Sequence, residues 1–173
     1  AGGVTSARVL RTLPGYFEAT GLEVKQRFVT SDDGTRVPYF EIGARDRTGP
    51  APTLLYGYGG FEVPLVPVYS GAIGRAWLEH GGVYVMANIR GGGEFGPRWH
   101  QAALRQHRHR AYEDFAAVAR DLVKRGVTTK GQLGVRGGSN GGLLIGNMLM
   151  SYPDLFAAAV CQVPLLDMKR YSH

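Results

Sequence analysis

Cysteine is nearly missing from this chain. Cys161 is the one thiol in 173 residues, so no internal disulfide can form. It sits in the apolar run Phe156-Ala-Ala-Ala-Val-Cys-Gln-Val163 and reads as a small buried hydrophobe. Long apolar stretches are missing too. None approaches the roughly 20 residues needed to cross a bilayer, so no membrane partner is expected. The start, Ala1-Gly-Gly-Val-Thr-Ser-Ala-Arg8, lacks the apolar core of a secretory leader, and that favours a cytoplasmic setting. Acids are outnumbered, 14 against 20 lysines and arginines, for a net charge of +6. The excess is spread along the chain except at Arg105-Gln-His-Arg-His-Arg110. That segment reads as the solvated lead-in to a helix, and no nucleic-acid partner is expected.

A hydrophobic content of 44% with 20% charged residues matches ordinary globular proteins, which argues against wholesale disorder. A chain of this length supports one domain and can bury about 70% of its unfolded surface.

Residues 1–20 show no periodicity and contain the turn signal Pro14-Gly15. Residues 22–29 and 36–42 are rich in β-branched and aromatic side chains, and Ser31-Asp-Asp-Gly34 separates them, which predicts an antiparallel hairpin. Thr48-Gly-Pro-Ala-Pro52 is a stiff linker. The texture then changes. A short strand at 53–56 stops at Gly57-Tyr-Gly-Gly60, a helix is expected over 72–80, and a strand over 82–89 stops at Gly91-Gly-Gly93. Phe115, Val118, Ala119 and Leu122 recur at helical steps within 111–125, with Gly126 as terminator. A strand at 132–136, a helix at 143–151 and a strand at 157–163 follow. Strand, glycine turn, helix, strand, repeated, is the pattern of parallel α/β architecture.

Chemistry concentrates in Gly137-Gly-Ser-Asn-Gly-Gly142, between a strand and a helix. It fits G-x-S-x-G, in which a strained strand-to-helix turn lifts the serine hydroxyl above the sheet. A Cβ two residues before or after the serine would collide with neighbouring elements, hence glycine at 137 and 141. The helix start directs N–H groups and the positive dipole end at the reaction centre, which makes the Asn140 N–H an oxyanion donor. In α/β hydrolases the loop after an earlier strand supplies the second donor, and Gly57-Tyr-Gly-Gly-Phe61 occupies that place. The expected fold is therefore an α/β-hydrolase: a mostly parallel sheet with an N-terminal antiparallel hairpin, incomplete at the C-terminus.

Four ordered motifs carry a more specific likeness: Tyr56-Gly-Tyr-Gly-Gly-Phe61, Ala87-Asn-Ile-Arg-Gly-Gly-Gly-Glu-Phe-Gly96, Gly137-Gly-Ser-Asn-Gly-Gly142 and Tyr152-Pro-Asp-Leu-Phe156. Over residues 20–173 the chain resembles the prolyl oligopeptidase family of serine peptidases. That resemblance implies a catalytic domain with a β-propeller inserted earlier in the full protein, acting on short peptides, often after proline. By the same resemblance Ser139 is the nucleophile, and the Asn140 N–H and the Tyr58 hydroxyl hold the oxyanion. Phe61 and Leu165 match positions lining the pocket for the residue before the scissile bond, Leu165 standing where many relatives carry valine. Residues 1–20 become the remnant of the preceding, propeller-side segment, and 21–173 the N-terminal part of the catalytic domain. The implied partners are a peptide substrate and the remainder of a longer parent, with no cofactor and no metal.

A serine nucleophile needs a histidine base and an orienting carboxylate, and in this fold both follow the serine. After Ser139 the acids are Asp154 and Asp167, and the one histidine is His173. Asp154, in a Pro-Asp turn, reads as a structural cap. His173 is too close downstream to leave room for the strands that position a base. The chain by itself is thus expected to lack turnover and to expose part of an unfinished sheet.

Rival readings have specific sequence features. Gly91-Gly-Gly-Glu-Phe-Gly96 fits the dinucleotide pattern G-x-G-x-x-G, but Pro97 and Trp99 follow at once. His107 and His109, two residues apart, are poorly placed as a metal pair, and His80 and His100 read as a helix end and a packed loop residue. Arg90 and Glu94 are expected to tie the glycine loop down by an ion pair. An esterase or acyl hydrolase of the same fold is the nearer rival, and Tyr58 is the feature that argues against it.

Overall fold

Branched and aromatic residues recur through 22–30 and 36–44, the composition that favours extended chain. In the computed structural model, which describes residues 7–171, β1 (Leu22–Thr30) and β2 (Arg36–Ala44) pair antiparallel, with Val29 opposite Val37 and Phe28 opposite Pro38. Val37 and Tyr39 turn inward and are fully buried. Four further strands follow: β3 (Thr53–Gly57), β4 (Val83–Ala87), β5 (Leu133–Gly138) and β6 (Ala158–Gln162). The sheet order is β1-β2-β4-β3-β5-β6. β2 meets β4 antiparallel, whereas β4, β3, β5 and β6 are mutually parallel. The hairpin joined to a parallel sheet is as expected.

The helices are α1 (Gly71–Ala76), α2 (Pro97–Gln101), α3 (His109–Lys124) and α4 (Asn140–Ser151). The apolar stripe of α3 buries Phe115, Val118, Ala119 and Leu122 against one face of the sheet, where Leu144, Ile145 and Met148 of α4 join Leu55, Val85 and Val135. Gly126, at φ 70°, ends α3 by letting Val127 N–H reach back to the Leu122 carbonyl at 3.0 Å. The opposite face is more open. There Ile42, Tyr56, Tyr84 and Met86 line a groove of about 590 Å³ beside α1, floored in part by Phe17 stacked on Tyr69. Burial pushes the Tyr84 phenol up to about 12. β6 lies at a sheet edge, with Val160 half exposed.

Three local expectations need correction. The helix over 72–80 breaks at Trp77, whose indole N–H bonds the Val83 carbonyl at 2.8 Å, and resumes as a 3-10 turn at Leu78–His80. His100, expected as a packed loop residue, lies on the helix α2, which starts at Pro97 because proline there supplies a preset φ and no N–H that needs a partner. Cys161 is half-buried rather than buried, its thiol 3.2 Å from the Gly142 carbonyl oxygen. No helix among the described residues is long and apolar enough to cross a membrane.

Candidate active site

The turn from β5 into α4 places Ser139 at φ 57°, ψ −116°, a left-handed conformation that side chains other than glycine avoid. Ser139 is exposed, and its hydroxyl makes no capping bond to the helix it precedes. The backbone around it holds the turn closed. Ser139 N–H donates to the Gln162 carbonyl at 3.0 Å, and the first helical bond runs from Leu143 N–H to the Ser139 carbonyl at 3.1 Å. The N–H groups of residues 140–142 therefore open α4 without intrahelical acceptors. The glycine spacing has the mechanical cause anticipated. A Cβ on Gly137 would come 2.2 Å from the Gly141 carbonyl oxygen, and one on Gly141 would come 2.6 Å from the Gly57 carbonyl oxygen. Gly142 is equally constrained, by Gln162 and Pro164.

The loop after β3 packs against this turn. Asn140 Nδ2 donates to the Tyr58 carbonyl at 2.6 Å, and a Cβ on Gly60 would strike the same amide at 2.3 Å. The structure thus brings the backbone of Tyr58 to the first residue of α4, with Asn140 buried and the Tyr58 side chain half-buried. Phe61 and Glu62 follow at φ 54° and 58°, and Phe61 is 64% exposed. Phe61, His100, Leu104, Arg105, Arg108 and Asn140 border a cavity of about 470 Å³. Leu165 is half-buried in the segment after β6 and does not border this cavity.

A second loop, after β4, supports the first from behind. A Cβ on Gly91 would lie 2.3 Å from the Gly59 carbonyl oxygen, and one on Gly93 would lie 2.1 Å from that of Glu62. Beside Gly91 and Gly93 these carbonyl oxygens leave no room even for a methyl group. Residues 91–96 are a packing surface, and the dinucleotide reading fails. The expected Arg90–Glu94 pair is also absent. Arg90 turns toward α3, where Asp114 accepts bonds from Nε at 2.9 Å and Nη2 at 2.6 Å, and Asp33 of the hairpin turn accepts from Nη1 at 2.5 Å. Burial opposes charge on this guanidinium, yet its bonds to Asp114 and Asp33 hold it protonated more firmly than usual. Arg90 in turn holds the Asp33 carboxyl far below the ordinary carboxylate range, against a smaller effect of burial. Glu94 accepts instead from Leu65 N–H and Asn88 Nδ2, both at 3.0 Å. A planar fork matched to a carboxylate inside the protein outcompetes a sequence neighbour.

The remaining sequence expectations can be placed as well. Arg105 is exposed, as a solvated lead-in requires, but Arg108 is half-buried and turned into the site, so the segment is not wholly solvated. Asp154 lies exposed on the 3-10 turn Pro153–Leu155, and its carboxylate caps nothing there. His80 ends a 3-10 turn as expected. His100 sits on α2 with Nδ1 2.7 Å from the Gly91 carbonyl oxygen and 3.2 Å from the Glu62 backbone nitrogen, so the ring is held by the two glycine loops. The rings of His107 and His109 are 6.5 Å apart. The histidine bonds among the described residues run to backbone groups, and none reaches Ser139. His173 lies outside the described residues. Sequence reasoning missed Arg108 and the side-chain role of Asn140, because nothing in a linear pattern shows a bond across 32 or 82 positions.

A hairpin running into a parallel sheet, with an exposed, strained serine at the β5–α4 turn backed by the loop after β3, defines an α/β-hydrolase catalytic unit. Residues 72–173 match the prolyl oligopeptidase family, and the chain belongs to that family. It is 52% identical over 165 residues to an uncharacterized peptidase of Sinorhizobium fredii, covering 94% of this chain and 23% of the relative. It is 42% identical over 150 residues to the prolyl endopeptidase of Elizabethkingia miricola, covering 86% of this chain and 21% of that enzyme. The solved structure of a post-proline cleaving enzyme from Rickettsia typhi superposes with a TM-score of 0.86 at 42% identity, over 95% of this chain and 24% of that one. The chain spans somewhat less than a quarter of the length of the relatives it matches.

Proposed function

We propose that Ser139 is the nucleophile of a serine peptidase that hydrolyses short peptides on the carboxyl side of proline. The observation that carries this reading is the positive φ of an exposed serine whose hydroxyl is uncommitted at the head of α4. In the reaction Oγ attacks the scissile carbonyl carbon while its proton passes to a histidine base. The carbonyl oxygen becomes an oxyanion and accepts hydrogen bonds from the Asn140 N–H and the Tyr58 hydroxyl. Collapse breaks the C–N bond, the base protonates the leaving amine, and water then hydrolyses the acyl-enzyme by the reverse route. Phe61 and Leu165 shape the pocket for the residue before the bond. The names of the relatives, prolyl endopeptidase and post-proline cleaving enzyme, support the proline preference.

We assign the base and its carboxylate to the remainder of the parent protein, and in support of this no histidine bond among residues 7–171 leads to Ser139. Residues 1–20 are the end of a preceding segment and 21–173 the first part of the catalytic domain. The first strand beginning at Leu22 supports that division. Hydrolysis of a Gly-Pro chromogenic peptide tests the reading. The full-length protein turns it over, its Ser139→Ala variant does not, and residues 1–173 alone show no turnover. Efficient cleavage by the isolated chain would place a base within it and refute the division of labour.

A further inference from the structure

The two oxyanion donors belong to different elements: Tyr58 to the loop after β3, Asn140 to the first residue of α4. Their distance apart is therefore a tertiary property, and something must fix it. Arg108 sits just ahead of α3, in a segment whose sequence suggested only a solvated surface. Its Nη1 donates to the Gly59 carbonyl and its Nη2 lies 3.4 Å from Asn140 Oδ1. Asn140 Nδ2 closes the circuit on the Tyr58 carbonyl at 2.6 Å. Arg108 has only N–H donors, so it fixes which end of the Asn140 amide faces it. The other end is then obliged to present its N–H to Tyr58.

The surroundings are built to keep this guanidinium in place. Its Cζ lies 5.6 Å from the centre of the Tyr112 ring, four residues further along the chain. Gly91 leaves room beside the guanidinium that a Cβ would take, 3.0 Å from Nη1. We propose that Arg108 is a positioning residue of the oxyanion hole: it locks the Tyr58 loop and the head of α4 into one spacing without touching substrate. This inference rests on Ser139, Tyr58 and Asn140 acting as proposed above.

A misplacement of about 1 Å at a reacting centre can cost on the order of 10² in rate. In the full-length protein Arg108→Met should lower kcat by about 10–100-fold and leave KM within about threefold. Arg108→Lys keeps the charge but cannot bridge two acceptors with one rigid fork, and should fall between. The discriminating measurement is a double-mutant cycle with Tyr58→Phe. Once the tyrosine donor is gone its placement no longer matters, so the Arg108→Met penalty should shrink to a few-fold. Thermal melting checks folding, and Arg108→Lys carries the cycle if the methionine variant does not fold. A kcat within twofold of wild type, a loss confined to KM, or penalties that simply multiply would each overturn the proposal. Failure of the underlying reading looks different: a fluorophosphonate probe would then leave wild-type Ser139 unlabelled. A labelled wild type with an indifferent Arg108 refutes the positioning role alone.

Discussion

Asp114 receives three hydrogen bonds from Arg90, one from its backbone N–H at 3.0 Å and two from its guanidinium at 2.9 and 2.6 Å. Both side chains are almost wholly withdrawn from water. Removing one member of such a pair strands a buried charge, which typically costs about 3–5 kcal/mol. Asp114→Ala in the full-length protein should fall near the lower end, because Asp33 still faces the arginine. Urea denaturation followed by fluorescence measures it, and a loss below about 1 kcal/mol would show that the pair does not hold α3 to the loop after β4.

Asp33, the more exposed partner, gives the same network a pH signature. Its folded pKa lies well below the unfolded value of about 3.9. The stability it contributes is therefore complete above that value and drains away as pH falls through the folded pKa. Asp33→Asn should melt lower than wild type at pH 7, and the gap should narrow below about pH 4. A gap independent of pH would mean that the asparagine is disturbing the Ser31–Gly34 turn rather than losing a charge.

Much of this could be read from the chain, and the limits have physical causes. Helix α3 is legible because Phe115, Val118, Ala119 and Leu122 repeat with the helical period, and all four are buried. The strands before each glycine cluster are legible because a five-residue apolar run must stop where glycine permits a sharp turn. Ser139 is legible because the glycines at 137 and 141 answer a local steric demand. Sequence proximity points Arg90 at Glu94, whereas the structure gives it to Asp114, 24 positions away. Helix α2 is not legible because its five residues are too few to show a helical period, and Pro97 at its start is as compatible with a loop as with a first helical turn. Leu165 came from resemblance alone, and no contact places it in the cavity beside Phe61.

The glycines of the turn allow a test by addition rather than removal. Gly141→Ala puts a methyl group 2.6 Å from the Gly57 carbonyl oxygen, a backbone atom that cannot swing aside. Overpacking of this kind costs about 1–3 kcal/mol, and displacing the start of α4 should lower turnover by about 10² or more. Gly21→Ala is the control. A Cβ there meets nothing within 4 Å, and stability should stay within about 0.5 kcal/mol of wild type. Equal behaviour of the two variants would contradict the close approach of α4 to β3.

Tyr58 can be tested without altering its backbone contacts. Losing one oxyanion donor typically lowers turnover by about 10²–10³. Tyr58→Phe in the full-length protein should show that loss in kcat with little change in KM, because the phenol acts on charge that develops after binding. Steady-state kinetics on a prolyl peptide decide it, and an unaltered kcat would remove the hydroxyl from the mechanism.

The account stands most directly on one adduct. Incubating the full-length protein with a fluorophosphonate and mapping the modified peptide by mass spectrometry should find the phosphonyl group on Ser139 and none in Ser139→Ala. An adduct on another residue, or labelling undiminished in the alanine variant, would contradict it.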